Sequence, residues 1–192
     1  MTKNLSQLCL TLAVFTSSHA LANNFNSEKT EQLVSWLQLG KTSEIEQAIA
    51  NGVNINHAIP GDGTPLMLAV GSGHNQLVYR LVELGADVNQ SSIQDGNPLI
   101  VAAANNRLEL VEYLVEAGAD LDAIVKHDET ALITASRAGH LEMVKLLVTL
   151  GADVNLAVEA ETIGGVEIRS PLNGARNEDI RLYLKQQGAY EL

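Results

Sequence analysis

The sequence repeats itself with a period of 33 residues, and this period restricts the fold more than any other feature of the chain. Three copies of one pattern occupy residues 63–89, 96–122 and 129–155. A fixed period of this length predicts a stack of similar small units, each of which buries its apolar side against its neighbours. We therefore predict an all-α repeat solenoid that covers most of the chain after the first two dozen residues.

The openings and closings of the three copies resemble those of the ankyrin repeat. The first copy opens with Gly-Thr-Pro-Leu at 63–66 and closes with Gly-Ala-Asp-Val-Asn at 85–89. The resemblance implies helix-turn-helix units joined by β-hairpin-like loops, and a protein that binds other proteins and catalyses nothing. The openings Gly-Asp-Gly-Thr-Pro-Leu (61–66) and Asp-Glu-Thr-Ala-Leu-Ile (128–133) are also similar to those of exported bacterial ankyrin modules found with BlaR-type membrane metallopeptidases. This chain itself carries no peptidase motif.

Each copy carries the signals of two helices. Residues that can cap a helix precede each first, or inner, helix; they are Thr64, Asn97, Thr130 and Ser170. The predicted inner helices span residues 65–70, 98–104 and 131–137. A tight turn leads into an outer helix whose apolar residues recur at i and i+4, and a glycine ends it at 85, 118 or 151. Extended loops, which we call fingers, then turn at 62–63, 95–96 or 128–129, because Asp-Gly favours tight turns.

About five units are expected, including a cap at each end. The predicted boundaries are a signal peptide at 1–22, a degenerate N-terminal capping unit at 23–59, ankyrin repeats at 60–92, 93–125 and 126–157, a hairpin insertion at 158–169 and a C-terminal capping repeat at 170–192. In the first unit, Ser43 and Glu46 are predicted to form a capping box, and Trp36 to pack against the core. In the last helix, Arg181 and Lys185 replace apolar residues, as a solvent-facing cap requires.

The insertion at 158–169 alternates polar and apolar residues on each side of Gly164-Gly165. This alternation predicts an elongated β-hairpin that projects between the third repeat and the last unit and contacts a partner. The alternative is a disordered loop that has no function, since glycine and acidic residues are also common in disordered segments.

The first 22 residues have the pattern of a signal peptide. Lys3 precedes an apolar core at 8–15, and Ala20-Leu21-Ala22 predicts cleavage before Asn23. An uncleaved membrane anchor is the alternative, although the apolar core is short for a span. The only cysteine, Cys9, lies in this segment, so disulfides and cysteine-metal sites are not expected in the mature chain. The resemblance favours the bacterial periplasm as the location, with secretion as the alternative.

The chain is acidic, with a formal net charge of −11. Removal of the signal peptide deletes Lys3 and no acidic residue, which makes the charge about −12. Nucleic acid is therefore not an expected partner, because binding it requires lysines and arginines that neutralise phosphates. No second long apolar stretch follows, and no membrane contact is expected after the signal is removed. The charge serves either solubility alone or an acidic partner-facing surface.

No motif for catalysis, a cofactor or a metal is apparent. His74 and His140 occupy turn positions of the repeat and are interpreted as structural, and no histidine pair shows metal-ligand spacing. Aspartates such as Asp87 and Asp120 recur once per unit and so belong to the architecture. We expect a protein that is not an enzyme and has no cofactor.

A monomeric protein-binding module is the leading hypothesis, with another protein as the partner. The alternatives are an accessory or chaperone-like subunit of an exported enzyme, and a secreted effector that binds a host protein. The candidate contact residues vary between units on the predicted concave face or lie in the hairpin. They are Asp62, Ser72, Gln94, Asn105, His127, Asp128, Glu129, Arg137, Thr162, Ile163 and Val166.

Overall fold

The computed structural model describes residues 29–92, 96–125, 129–162 and 164–191, and these contain nine helices and one two-stranded sheet. The helices are α1 over residues 29–38, α2 (Thr42–Ala50), α3 (Pro65–Ser72), α4 (Asn75–Glu83), α5 (Pro98–Ala104), α6 (Leu108–Glu116), α7 (Ala131–Ala138), α8 (Leu141–Leu150) and α9 (Glu178–Gln186). The strands are β1 (Val158–Thr162) and β2 (Gly165–Arg169). The predicted signal peptide, with Cys9, lies outside the described residues.

The helices pair within units and stack between units, which confirms the predicted helical repeat stack. Helix α3 packs on α4, α5 on α6 and α7 on α8, while the inner helices α3, α5 and α7 contact one another in succession. Buried apolar residues from all units form one continuous core. Small side chains let the inner helices approach closely, and the alanines at 69, 102, 103 and 135 are fully buried.

The predicted caps open the three inner helices. The side-chain oxygens of Thr64, Asn97 and Thr130 accept hydrogen bonds of 3.3, 2.8 and 3.2 Å from the backbone N–H groups of Met67, Ile100 and Ile133. Each bond satisfies one of the amide groups that a helix start leaves without an intrahelical partner. The predicted helix starts are therefore correct, and α3 and α7 extend one or two residues beyond their predicted ends.

An Asn or Asp near the end of each unit ties that unit to the next one. Its side-chain oxygen accepts a hydrogen bond of 2.9 to 3.1 Å from a backbone N–H; the pairs are Asn56 with Asp87, Asn89 with Asp120, Asp122 with Asp153 and Asn155 with Tyr190. The repeated aspartates are thus part of the architecture, as predicted. The predicted structural role of the two turn histidines is also confirmed, because the Nε2 atoms of His74 and His140 donate to the carbonyls of Gln38 and Ala104 in the preceding units.

The insertion forms the predicted hairpin. Strands β1 and β2 pair antiparallel, with Val158 opposite Arg169 and Thr162 opposite Gly165. Gly165 therefore belongs to the second strand rather than to the turn. Because directly opposite residues share one side of a sheet, Val158 and Ala160, which are buried, define the side that faces the stack.

The first unit departs from its prediction in one detail. Helix α2 begins at Thr42, so Ser43 lies inside the helix and no side chain caps its start. The predicted capping box is wrong. The carboxylate of Glu46 instead forms an ion pair with Arg80 of α4, which joins the first unit to the second. Trp36 is half-buried and packs against the core, as expected.

The last unit lacks a regular inner helix in the described part of the chain. Residues 171–174 form only a turn where earlier units have an inner helix, although Ser170 still accepts a bond of 3.1 Å from the N–H of Asn173. In α9, Lys185 is exposed and Arg181 partly so, which agrees with the predicted charged cap. None of the described helices is long and apolar enough to cross a membrane.

Candidate protein-binding surface

The fingers lie directly before the inner helices and are closed by isolated antiparallel bridges. The bridging pairs are Ile59 with Gly63, Ser92 with Gly96 and Val125 with Glu129. In the first finger the N–H of Ile59 donates to the carbonyl of Gly63 at 2.7 Å, so the tip comprises residues 60–62. The predicted turn centre at Asp62-Gly63 is therefore wrong, because Gly63 closes the finger and the left-handed residue at its tip is Gly61. We call the surface formed by the fingers, α3, α5 and α7 the inner face.

A cleft of about 240 Å³ lies on the inner face near the start of the stack. The predicted contact residues Asp62 and Ser72 line it, from the first finger and the end of α3 respectively. Its walls include Met67 and Gly71 of α3 and Val101 of α5. The structure thus brings two candidate residues together around a largely apolar depression, which we call the amino-terminal cleft.

A second cleft, of about 330 Å³, lies where the hairpin meets the third repeat and the last unit. We call it the arginine cleft, and its residues come from three elements: Ile133 and Arg137 of α7, Glu167, Ile168 and Arg169 of β2, and Asn173, Gly174 and Arg176 of the last unit. The volume lies within the range of small-ligand sites in proteins. The cleft exists because the hairpin folds against the inner helices.

The carboxylate of Glu129, at the foot of the third finger, organises the charges beside this cleft. It forms an ion pair with Arg137 and a longer one, of 3.6 Å, with Arg169. Thr134 Oγ1 donates a bond of 3.0 Å to its other oxygen. One carboxylate thus connects finger, inner helix and hairpin, and it places the guanidinium groups of both arginines at the cleft.

Gly174 and Arg176 complete the cleft from the last unit. A Cβ atom at position 174 would lie 2.8 Å from Cγ of Arg137, so only glycine lets the turn pack on the stem of that arginine. The backbone N–H of Arg176 donates to the carbonyl of Ser136 at 3.0 Å, which fixes the turn against α7. Within the described part of the chain, Arg176 has no ion-pair partner.

The other candidate residues have varied positions. Asn105 is exposed at the end of α5, where its side chain bonds only with Val101 of the same helix. Val166 is 65% exposed on β2. Thr162 lies in β1, but its side chain is not among those described. Four further candidates lie outside the described residues: Gln94, His127, Asp128 and Ile163. The structure therefore groups Asp62 with Ser72, and Glu129 with Arg137, and leaves Asn105 apart.

Three charged residues of the arginine cleft were not predicted from the sequence: Glu167, Arg169 and Arg176. The signal for the first two was present in the hairpin alternation, since residues 165, 167 and 169 share a side with the apolar residues at 158 and 160. Arg176 offered no such signal, because its position depends on how the shortened last unit packs against α7.

Away from the inner face, two tyrosines join successive outer helices. The rings of Tyr79 and Tyr113 pack edge to face at 4.5 Å. The hydroxyl of Tyr79 donates to Glu109, and this bond, with burial, raises the pKa of Tyr79 above 10.0. Burial, followed by the charge of Glu83, raises the pKa of Tyr113. These contacts link α4 to α6 and belong to the scaffold.

No group of three or more His, Cys, Asp and Glu side chains is arranged to hold a metal ion within the described ranges. One of the two clefts is largely apolar, and the other is rich in guanidinium groups. These features suit recognition of another molecule by shape and charge.

Comparison with known proteins agrees with the architecture. No curated protein matches the chain. A family model described as ankyrin repeats, in three copies, matches residues 18–125 and 67–158. These matches cover well over half of the sequence, and the helix pairs, capped inner helices and bridged fingers provide the structure that such repeats require. The chain therefore belongs to the ankyrin-repeat family.

Proposed function

We propose that the protein is an exported, non-catalytic binding module whose inner face and hairpin contact one protein partner. Ankyrin repeats generally mediate protein–protein interactions, and they bind through surfaces that differ from one protein to the next. The observation that carries the proposal is the hairpin, which adds an apolar surface beside the inner face.

That apolar surface is formed by two residues of β2. Val166 is 65% exposed and Ile168 is 41% exposed, and they lie two positions apart on one side of the strand. The register places Glu161 and Glu159 opposite them. Adjacent exposed apolar side chains of this kind can form the centre of an interaction site. The exposed carboxylate of Glu159, opposite Ile168, favours a partner surface that carries basic groups beside an apolar centre.

The test is in vivo crosslinking followed by identification of the captured protein. We expect the paired substitution Val166→Ser and Ile168→Ser to lower capture at least tenfold, because a few buried apolar anchors carry most interface energy. Leu182→Ser is the matched control, since Leu182 is 50% exposed on α9, outside the inner face. Equal capture by the paired variant and the control would contradict the role of the hairpin.

Export is proposed from the leader-like pattern of residues 1–22, and its test is separate. Cell fractionation and N-terminal sequencing should give a periplasmic protein that begins at Asn23. A protein that retains residues 1–22 in the membrane fraction would support the anchor alternative, and one found in the medium would support secretion.

A further inference from the structure

We propose that the arginine cleft binds a carboxylate group of the partner, supplied by an acidic side chain or by a chain terminus. This inference rests on the proposed function, because it names the chemistry that the partner presents. The hairpin surface at Val166 and Ile168 would hold the same partner beside it.

The concentration of arginine at this place is the first argument. The sequence contains six arginines in a chain of net charge −11, and three of them, Arg137, Arg169 and Arg176, line this one cleft. They come from an inner helix, a strand and a turn, so the fold gathers them and no local basic segment accounts for the cluster. A positive site in an acidic protein attracts an anion selectively, because the surrounding surface repels it elsewhere.

The second argument is the hydrogen-bonding capacity that remains. A guanidinium group has five N–H donors. Arg137 meets Glu129 through Nη1, and Arg176 has no ion-pair or side-chain hydrogen-bond partner among the described residues. Donors from two arginines at one cleft match the two oxygens of a carboxylate, which arginine binds in a bidentate manner.

The third argument is that the site is held in place before a ligand arrives. Gly174 packs against the stem of Arg137, and Glu129 fixes its guanidinium group. Thr134 in turn holds Glu129 through a bond of 3.0 Å. An arginine that is already positioned loses less conformational freedom on binding than a free surface arginine does.

The charge balance favours a carboxylate over a phosphate. Arg137 and Arg169 are already paired with the carboxylates of Glu129 and Glu167, so the cleft carries less positive charge than three unpaired arginines would supply. A carboxylate carries one negative charge, whereas a phosphate group carries about 1.5 to 2 at neutral pH.

Small probes test the cleft without knowledge of the partner. The full-length protein, labelled with ¹⁵N-arginine, is titrated with N-acetylleucine, which mimics a chain terminus, and with N-acetylglutamate α-amide, which mimics an acidic side chain. We expect at least one probe to shift the Nε–H signals of Arg137 and Arg176 and to saturate at millimolar concentration. The probe that binds more tightly identifies the source of the carboxylate.

Two variants and two further probes make the result decisive. Arg176→Gln should weaken binding about tenfold, the loss of one charge-assisted hydrogen bond. Arg181→Gln removes the same charge from α9, where Arg181 pairs with Glu178, and should leave binding within twofold. The inference is overturned if the two variants weaken binding equally, if neutral N-acetylleucinamide binds as well as N-acetylleucine, or if inorganic phosphate binds more tightly than both carboxylates.

The two proposals can fail separately. If the carboxylate probes shift no arginine signal while crosslinking still captures a partner through Val166 and Ile168, the carboxylate site is wrong and the binding module stands. If the probes bind at Arg176 while the hairpin substitutions leave capture unchanged, the hairpin role is wrong and the carboxylate site stands.

Discussion

Asn89 Oδ1 accepts a hydrogen bond of 2.9 Å from the backbone N–H of Asp120, 31 residues further along the chain. The Nδ2 atom of the same side chain donates a second bond of 2.9 Å to the carbonyl of Gly118. One side chain thus satisfies two backbone groups of the neighbouring repeat. This contact repeats along the stack and gives the units a defined spacing.

Asn89→Ala should lower the free energy of unfolding by about 2 kcal/mol, because it removes two hydrogen bonds that join repeats. Asn105→Ala is the matched control, since its side chain bonds only within α5, and should cost under about 1 kcal/mol. Urea unfolding followed by circular dichroism measures both. Equal losses would show that the bonds between repeats contribute nothing beyond a local bond.

Asn106 is the only non-glycine residue with positive φ, 53°, among the described residues, and the equivalent positions are Gly73 and Gly139. Asn106→Gly should therefore raise the free energy of unfolding or leave it unchanged, because glycine adopts positive φ without steric cost. Asn106→Ala should lower it by about 1 kcal/mol, because alanine has no polar side chain that could form a local hydrogen bond in the left-handed region. The midpoints of urea unfolding of the two variants measure these effects. An alanine variant as stable as the glycine variant would contradict the strain argument.

The buried hydroxyl of Ser136 has no hydrogen-bond partner among the described residues. Ser136→Ala removes a desolvated polar group and improves helix propensity, so it should be neutral or stabilise the protein by about 1 kcal/mol.

Ser170 provides the opposite case. It is also buried, but its hydroxyl accepts a bond from the N–H of Asn173. Ser170→Ala should destabilise the protein by about 1 kcal/mol. Thermal unfolding of both variants gives the comparison, and a clear loss of stability in Ser136→Ala would show that its hydroxyl has a partner after all.

Stability should fall in alkaline solution because of Tyr79 and Tyr113. The pKa of each is raised above 10.0 in the folded protein. Below pH 10 both tyrosines keep their protons in the folded and in the unfolded protein, so the free energy of unfolding has its full value. As the pH rises through the folded-state values, the unfolded chain has already lost its protons and stability declines.

Glu109→Gln should lower the pKa of Tyr79, because the bond to Glu109 is the largest cause of its shift. An ultraviolet titration of tyrosinate measures the change, with Tyr79→Phe as the background in which the substitution should have no such effect. An unchanged titration curve in Glu109→Gln would show that the hydrogen bond does not set this pKa.

The repeat architecture was predictable because its signals are local. The caps at Thr64, Asn97 and Thr130 lie directly before their helices, and the hairpin alternation lies within 12 residues. The wrong capping box arose because a distant residue competed with a local one. Ser43 and Glu46 have the spacing of a capping box, yet Glu46 pairs with Arg80, which lies 34 residues away.

The candidate site was less predictable because it forms only when distant segments meet. Arg137 and Glu129 were selected for their variation between units, but their pairing depends on the finger folding back along α7. Arg176 belongs to the arginine cleft only because the last unit is shortened and Gly174 packs against Arg137. No periodic pattern in the sequence encodes that approach.

The positions of the two clefts depend on the number of repeats between them. The amino-terminal cleft lies beside α3, and the arginine cleft lies where α7 meets the hairpin and the last unit. One more repeat inserted between α3 and α7 would therefore move the hairpin one unit further from the amino-terminal cleft, and a ligand that spans both clefts would have to be longer by the same amount.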